Sequence, residues 1–131
     1  MKILLTNDDG FDADGIKTLE QSLLEEGHEI VIVAPDSEKS AASHSLTLHQ
    51  PIRIIQRGVN RYSVTGTPAD CIIMAFSVIL KDSVDLVISG INQGQNMGED
   101  VVYSGTVAAA VEAMWSDMKA IAISSASYNN P

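Results

Sequence analysis

The sequence predicts an open, mostly parallel α/β sheet covered by helices on both faces, a three-layer αβα arrangement with a β-hairpin appended to it. Two observations carry that expectation. Short runs of branched apolar residues, each suited to a strand buried on both faces, alternate along the chain with segments whose apolar residues recur at helical spacing. Strands that alternate with helices pair in parallel through right-handed crossovers. The chain has 131 residues, 45% of them hydrophobic, enough to bury one core and too few for two, so residues 1–131 are expected to form one domain.

KILLT at 2–6 is the first strand, and Ile16, Leu19, Leu23 and Leu24 mark the helix that follows, with Gly27 placed to adopt a left-handed C-terminal cap. HEIVIVAP at 28–35 repeats the strand signal, and the aperiodic polar segment DSEKSAASHS reads as a loop. IRIIQ and RYSVTG, on either side of Arg57-Gly58-Val59-Asn60, form the hairpin. Thr67 as N-cap and Pro68 at the first helical position open an apolar helix through about Leu80, with Cys71 in the core. VDLVISG at 84–90 is a third buried strand, INQGQNMGEDVVY a glycine-rich and amide-rich loop, SGTVAAAVEAMW a helix capped by Ser104, and KAIAIS at 119–124 a further strand.

Seventeen acidic residues against eight basic ones give a net charge of -9, which opposes binding to nucleic-acid polymers or anionic membranes. Cys71 is the sole cysteine, so an internal disulfide is excluded, and His28, His44 and His49 form no zinc-like pattern with it. The apolar run after Lys2 is cut by Thr6-Asn7-Asp8-Asp9 far below secretory or spanning length, and the expected compartment is the cytoplasm.

Ligands of open α/β sheets sit beyond the carboxyl ends of the strands. The notable polar residues fall there: Asn7-Asp8-Asp9 after the first strand, Ser37 to Ser45 after the second, Asn92 to Asn96 after the third. Two adjacent carboxylates repel unless solvent screens them at an ordinary turn or a cation lies between them. Asn, Asp and Gly are common turn formers, so NDDG alone leaves both readings open. A hard divalent ion such as Mg²⁺ takes oxygen ligands and keeps several waters, and Asp8 and Asp9 with neutral oxygens from Asn92 and a serine of the second loop would suit it. Ser104, Gly105 and Thr106 stand at a helix N-terminus, where free N–H groups and the helix dipole favour an anion, or where Ser104 serves as a plain N-cap. A cation site beside an anion site points to a phosphate ester. His44 is a candidate acid or base, weighed against a surface or supporting role; His28 and His49 are assigned to structure, Asp12 and Asp14 to a solvated loop and helix start in preference to an enlarged acidic cluster, and Trp115 with its neighbouring methionines to packing.

TNDDG at 6–10, APDSEKSAASHSLT at 34–47, TGTPADC at 65–71, SGINQGQNMGEDVVYSGTVAAA at 89–110 and the following AIAIS together resemble the SurE survival-protein family of metal-dependent nucleotidases. The resemblance covers essentially the whole chain. It implies a Rossmann-like core and hydrolysis of nucleoside 5′- and 3′-monophosphates, in some members also of short polyphosphate, with one divalent ion, Mg²⁺ or Mn²⁺. Carried over by position, the metal ligands are Asp8, Asp9, Ser40 and Asn92, with Asp8 and Asp9 catalytic. Asn96, Ser104, Gly105 and Thr106 lie around the phosphate. Family members associate as dimers and tetramers and continue beyond the position of Pro131, so the chain is expected to be the N-terminal core of a longer protein. Within the implied chemistry, the attacking group is a water activated by the ion, with Asp8 acting instead as base or as nucleophile as the alternative. The alternatives are a fragment that binds metal and nucleotide without turnover and a signalling receiver domain; the latter needs a phosphoacceptor aspartate ending its third strand, where this chain has Ser89-Gly90.

Overall fold

The computed structural model describes residues 1–38, 51–98, 101 and 104–127. Their elements are β1 (Lys2–Thr6), α1 (Asp14–Glu25), β2 (Glu29–Pro35), β3 (Ile54–Gly58), β4 (Arg61–Val64), α2 (Pro68–Met74) continued by a π-helical turn (Ala75–Ile79), β5 (Leu86–Gln93), α3 (Gly105–Trp115) and β6 (Ala120–Ser125). The six strands form one sheet in the order β3-β4-β2-β1-β5-β6. Only the β3–β4 hairpin is antiparallel, and β4 joins the sheet in parallel beside β2.

Successive strand residues face opposite sides of the sheet, and here both sides are buried. Ile3, Leu5, Ile30, Ile32 and Ile88 pack with Ile16 and Leu19 of α1. Leu4, Val31, Val33 and Val87 pack on the other side with Cys71 and Ile72 of α2 and with Ala109 and Ala113 of α3. This is the three-layer, Rossmann-like arrangement that the alternating elements predict. Burying a side chain of this size stabilises the fold by about 1.5–3 kcal/mol, so the paired faces of β1, β2 and β5 hold the sheet together.

The helix signals are realised at particular atoms. Gly27 has a positive φ of 87° and its N–H donates to the Leu24 carbonyl. Thr67 and Asp70 form a capping box, each side chain accepting from the other's backbone N–H, with Pro68 just inside the helix. Two boundaries and one burial differ from those read in the sequence. The helix that opens at Pro68 is α-helical only to Met74 and then widens. β5 does not stop at Gly90 but runs on to Gln93, because a bulge between Ser89 and Asn92 lets the strand absorb an extra residue against β6. Gly90 is needed there: its φ is +152°, and a Cβ would lie 2.6 Å from the Ile123 carbonyl oxygen. Trp115 and Met114, expected in the packing, are 71% and 61% exposed. The buried face of α3 runs through Thr106, Ala109, Ala110 and Ala113, and at about 100° per residue Met114 and Trp115 turn away from it.

The topology fixes where a site can form. From β1 the chain crosses by α1 on one face to β2; from β5 it crosses by α3, packed on the opposite face, to β6. β1 and β5 are neighbours, so the connections leaving their carboxyl ends part in opposite directions and open a crevice between them.

Candidate active site

The NDDG turn hangs from the end of β1 into this crevice. The fully buried Asn7 side chain closes the turn in both directions, its Nδ2 donating to the Gly10 carbonyl at 2.7 Å and its Oδ1 accepting from the Gly10 N–H at 3.1 Å. Gly10 has φ of +109° and passes so near Ser37 that a Cβ would stand 3.1 Å from its carbonyl carbon. Between these fixed ends, Asp8 and Asp9 point to different partners. The Gln93 N–H donates to Asp9 Oδ2 at 2.9 Å, tying Asp9 to the end of β5. Asp8 turns toward the first turn of α3: a Cβ on Gly105 would lie 2.4 Å from Asp8 Oδ1 and 2.8 Å from its Cγ. The absent side chain of Gly105 is what leaves room for the Asp8 carboxyl.

The electrostatics are those of a site short of positive charge. Burial, then the negative charges of Asp9 and Glu38, push the Asp8 carboxyl up from its ordinary 3.8 to about 6. Asp9 is also raised, by burial first; the Gln93 N–H opposes that rise and Glu38 adds to it. A cavity of about 460 Å³ opens beside Asp9, lined by Asp12, Ala13, Asp14, Glu38 and Gln93. Asp14 starts α1 and Asp12 pairs with Arg57 at 3.5 Å, so the two residues assigned to a solvated loop and helix start also border the acidic crevice.

Asn92, near the end of β5 and buried, donates from Nδ2 to the Gly94 carbonyl at 2.9 Å, which leaves Oδ1 without a donor among the described residues. Asn96 Oδ1 accepts from the Ser124 hydroxyl at 2.5 Å, tying its loop to β6. Ser104 acts as the N-cap of α3, its hydroxyl accepting from the Val107 N–H at 3.1 Å. Thr106 is fully buried in the same turn, and its hydroxyl has no partner among the described residues. Ser40, His44 and His49 lie outside the described residues. His28, assigned to structure, meets the N-terminal amine at 3.1 Å.

Among the described residues no group of three or more His, Cys, Asp or Glu side chains is placed to hold a metal ion. The oxygen donors that stand near the ends of β1 and β5 are the carboxylates of Asp8 and Asp9 and the amide of Asn92. That set suits a hard divalent ion that retains water, and an unpartnered, buried Asp8 oxygen is the group such an ion would satisfy. Sequence reasoning missed the clamping role of Asn7, the field of Glu38 and the clearance at Gly105. Only Asn7 carried a signal, as the first residue of an Asn-x-x-Gly turn. Among the described residues no helix is long and apolar enough to cross a membrane.

Comparison with known proteins gives a consistent picture. A family model described as "Survival protein SurE" matches residues 3–131. Proteins named 5′-nucleotidase SurE from Haemophilus ducreyi and Carboxydothermus hydrogenoformans are 54% and 53% identical to this chain, over 95% and 98% of it, and over 49% and 51% of their own lengths. The crystal structure of SurE protein from Aquifex aeolicus superposes with a TM-score of 0.89 at 43% identity, over 95% of this chain and 50% of that one. The chain thus spans about half the length of the curated relatives it matches.

Proposed function

The chain belongs to the SurE survival-protein family, and from that premise we propose that it is the N-terminal core of a metal-dependent phosphomonoesterase that hydrolyses nucleoside 5′-monophosphates. By the same reading it acts on 3′-monophosphates and short polyphosphate, works in the cytoplasm and associates with further copies of itself. The observation that carries the proposal is the meeting of two raised carboxyls from β1 with the end of β5 and the start of α3 in one crevice.

Asp8, Asp9, Asn92 and Ser40 would hold one Mg²⁺ or Mn²⁺. When bound, such an ion supplies Lewis acidity toward a phosphoryl oxygen and toward water. The residues supply the rest. Asn7 and the Gln93 N–H fix the two carboxyls relative to β5. Ser104 caps α3 from within, so the backbone N–H groups of Gly105 and Thr106 remain to face charge on the phosphoryl oxygens, where the helix dipole adds to them. Asn96 borders the phosphate from the loop after β5. A chain of net charge -9 would repel a phosphate monoester from this acidic crevice unless a cation neutralised it.

The test is phosphate release from AMP and GMP in Mn²⁺, with and without excess EDTA. Release that EDTA abolishes, and that Asp9→Asn lowers by orders of magnitude, is the expected result; undiminished release in EDTA would refute the reading. Because the chain covers about half of its relatives, a second outcome is specific: AMP and Mn²⁺ binding by calorimetry without release would identify a binding core whose turnover needs the remaining half.

A further inference from the structure

Four buried side-chain oxygens with no hydrogen-bond partner among the described residues lie at the crevice: Thr6 Oγ1, Ser89 Oγ, Thr106 Oγ1 and Asp8 Oδ1. Thr6, Ser89 and Thr106 are each 0% exposed and Asp8 is 5% exposed. Their arrangement follows from the register. Thr6 and Ser89 are directly paired across β1 and β5. By strand alternation Thr6 shares the face of Leu4 and Ser89 that of Val87, both of which pack with α2 and α3. Thr106 enters the same layer from the buried side of α3, and the Asp8 carboxyl stands against the preceding residue of that helix.

A hydroxyl in this position does nothing for packing that a methyl group would not do. Buried polar atoms are ordinarily paired, and one left without a protein partner lowers stability relative to an apolar group of the same shape. Three such hydroxyls in one layer, below an equally unpartnered carboxyl oxygen, therefore call for a reason outside the core. We propose that Thr6 and Ser89, together with Thr106, are positioning residues that hold the Asp8 carboxylate from beneath through a shared hydrogen-bonded layer. The inference rests on the metal-dependent reading given above. Each hydroxyl offers one donor and two acceptor sites, and internal water commonly bridges groups of this kind inside proteins. Supports of this sort orient a ligating group without touching substrate, and their loss typically weakens metal affinity or activity.

The experiment uses Thr6→Val and Ser89→Ala, which remove the hydroxyls with little change of shape, and Thr6→Ser, which keeps one. Three quantities are measured on the whole chain: thermal unfolding in EDTA, Mn²⁺ affinity by calorimetry, and kcat and KM for AMP. The expected result is an unfolding temperature equal to or above that of the parent, Mn²⁺ affinity and kcat each reduced by about tenfold or more with KM little changed, and recovery in Thr6→Ser. Parent-like Mn²⁺ affinity in both deletion variants would overturn the inference, as would a fall in unfolding temperature that tracks the loss of affinity, since that is the mark of plain core residues. If the parent binds Mn²⁺ but releases no phosphate, the proposed reaction fails while the affinity comparison still decides this inference.

Discussion

Replacing Asp8 by Asn should stabilise the metal-free protein at neutral pH, and the gain should vanish in acid. In the folded chain the Asp8 carboxyl binds its proton more tightly than in the unfolded chain, with a pKa of about 6 against 3.8, because burial and the charges of Asp9 and Glu38 disfavour the anion. The sign follows from proton linkage. Between about pH 4 and pH 6 the folded state carries more protons than the unfolded one, so stability falls as pH rises through that window, and the whole penalty is present above it. At about 1.4 kcal/mol for each power of ten in proton affinity, the difference amounts to about 3 kcal/mol. Asparagine has nearly the same shape and no charge to bury. For a chain of this length that corresponds to a rise in melting temperature on the order of 10 °C. The assay is thermal unfolding in EDTA of the parent and Asp8→Asn at pH 4 and at pH 7.5. The reasoning is refuted if the variant gains equally at both pH values, or if it is the less stable protein at pH 7.5. Adding excess Mn²⁺ at pH 7.5 should then raise the parent more than the variant, since only the parent keeps the full ligand set.

Gly105→Ala should leave unfolding stability within about 1 kcal/mol of the parent, because the atoms its Cβ meets belong mainly to the end of the Asp8 side chain, which can give way; Mn²⁺ affinity and phosphate release should fall by about a hundredfold as Asp8 is displaced. Calorimetry and unfolding on the same sample separate the two effects. Asn7→Ala should lower stability by about 1–3 kcal/mol in urea unfolding, because it strands the buried N–H of Gly10 that Asn7 Oδ1 now satisfies, while the Gly10 carbonyl keeps only the Ala13 N–H.

The fold was legible because its strands and helices announce themselves by period. The branched runs at Ile3 to Leu5 and Ile30 to Val33 are buried on both faces, as continuous apolar strands must be. What could not be read depended on tertiary partners. Asn92 and Gln93 look like loop residues, and they extend β5 only because Gly90 accommodates a bulge against β6. Nothing local marks the widening of the helix at Ala75. Trp115 has the size of a core residue, but its angle around α3 turns it outward. At the site, the paired acids and the capped helix were visible as residue types. Thr6 and Ser89 were not, because a hydroxyl residue ending a strand is unremarked until its lack of a partner is known. Gly105 was read as part of an anion site, whereas the clearance it leaves for Asp8 appears only in three dimensions.

These features share one logic. The groups that weaken the fold are gathered where the connections from β1 and β5 diverge: a carboxyl pushed toward neutrality, a second raised acid beside it, and three hydroxyls without partners among the described residues. Away from that crevice the same strands are filled with Leu4, Val33 and Val87, whose burial owes nothing to any ligand. A sheet packed on both faces can tolerate such a local deficit, and the anionic part of it, the paired carboxylates, is the part that a hard cation would relieve under the proposed reading. By the proposed reading, a bound cation would add stability at this crevice, where Asp9 and the Gln93 N–H already couple the two strands. Metal binding should accordingly be read first in the unfolding temperature of the chain, at Mn²⁺ concentrations where no nucleotide is present, and it should be lost together with the carboxylate charge as pH falls below about 6.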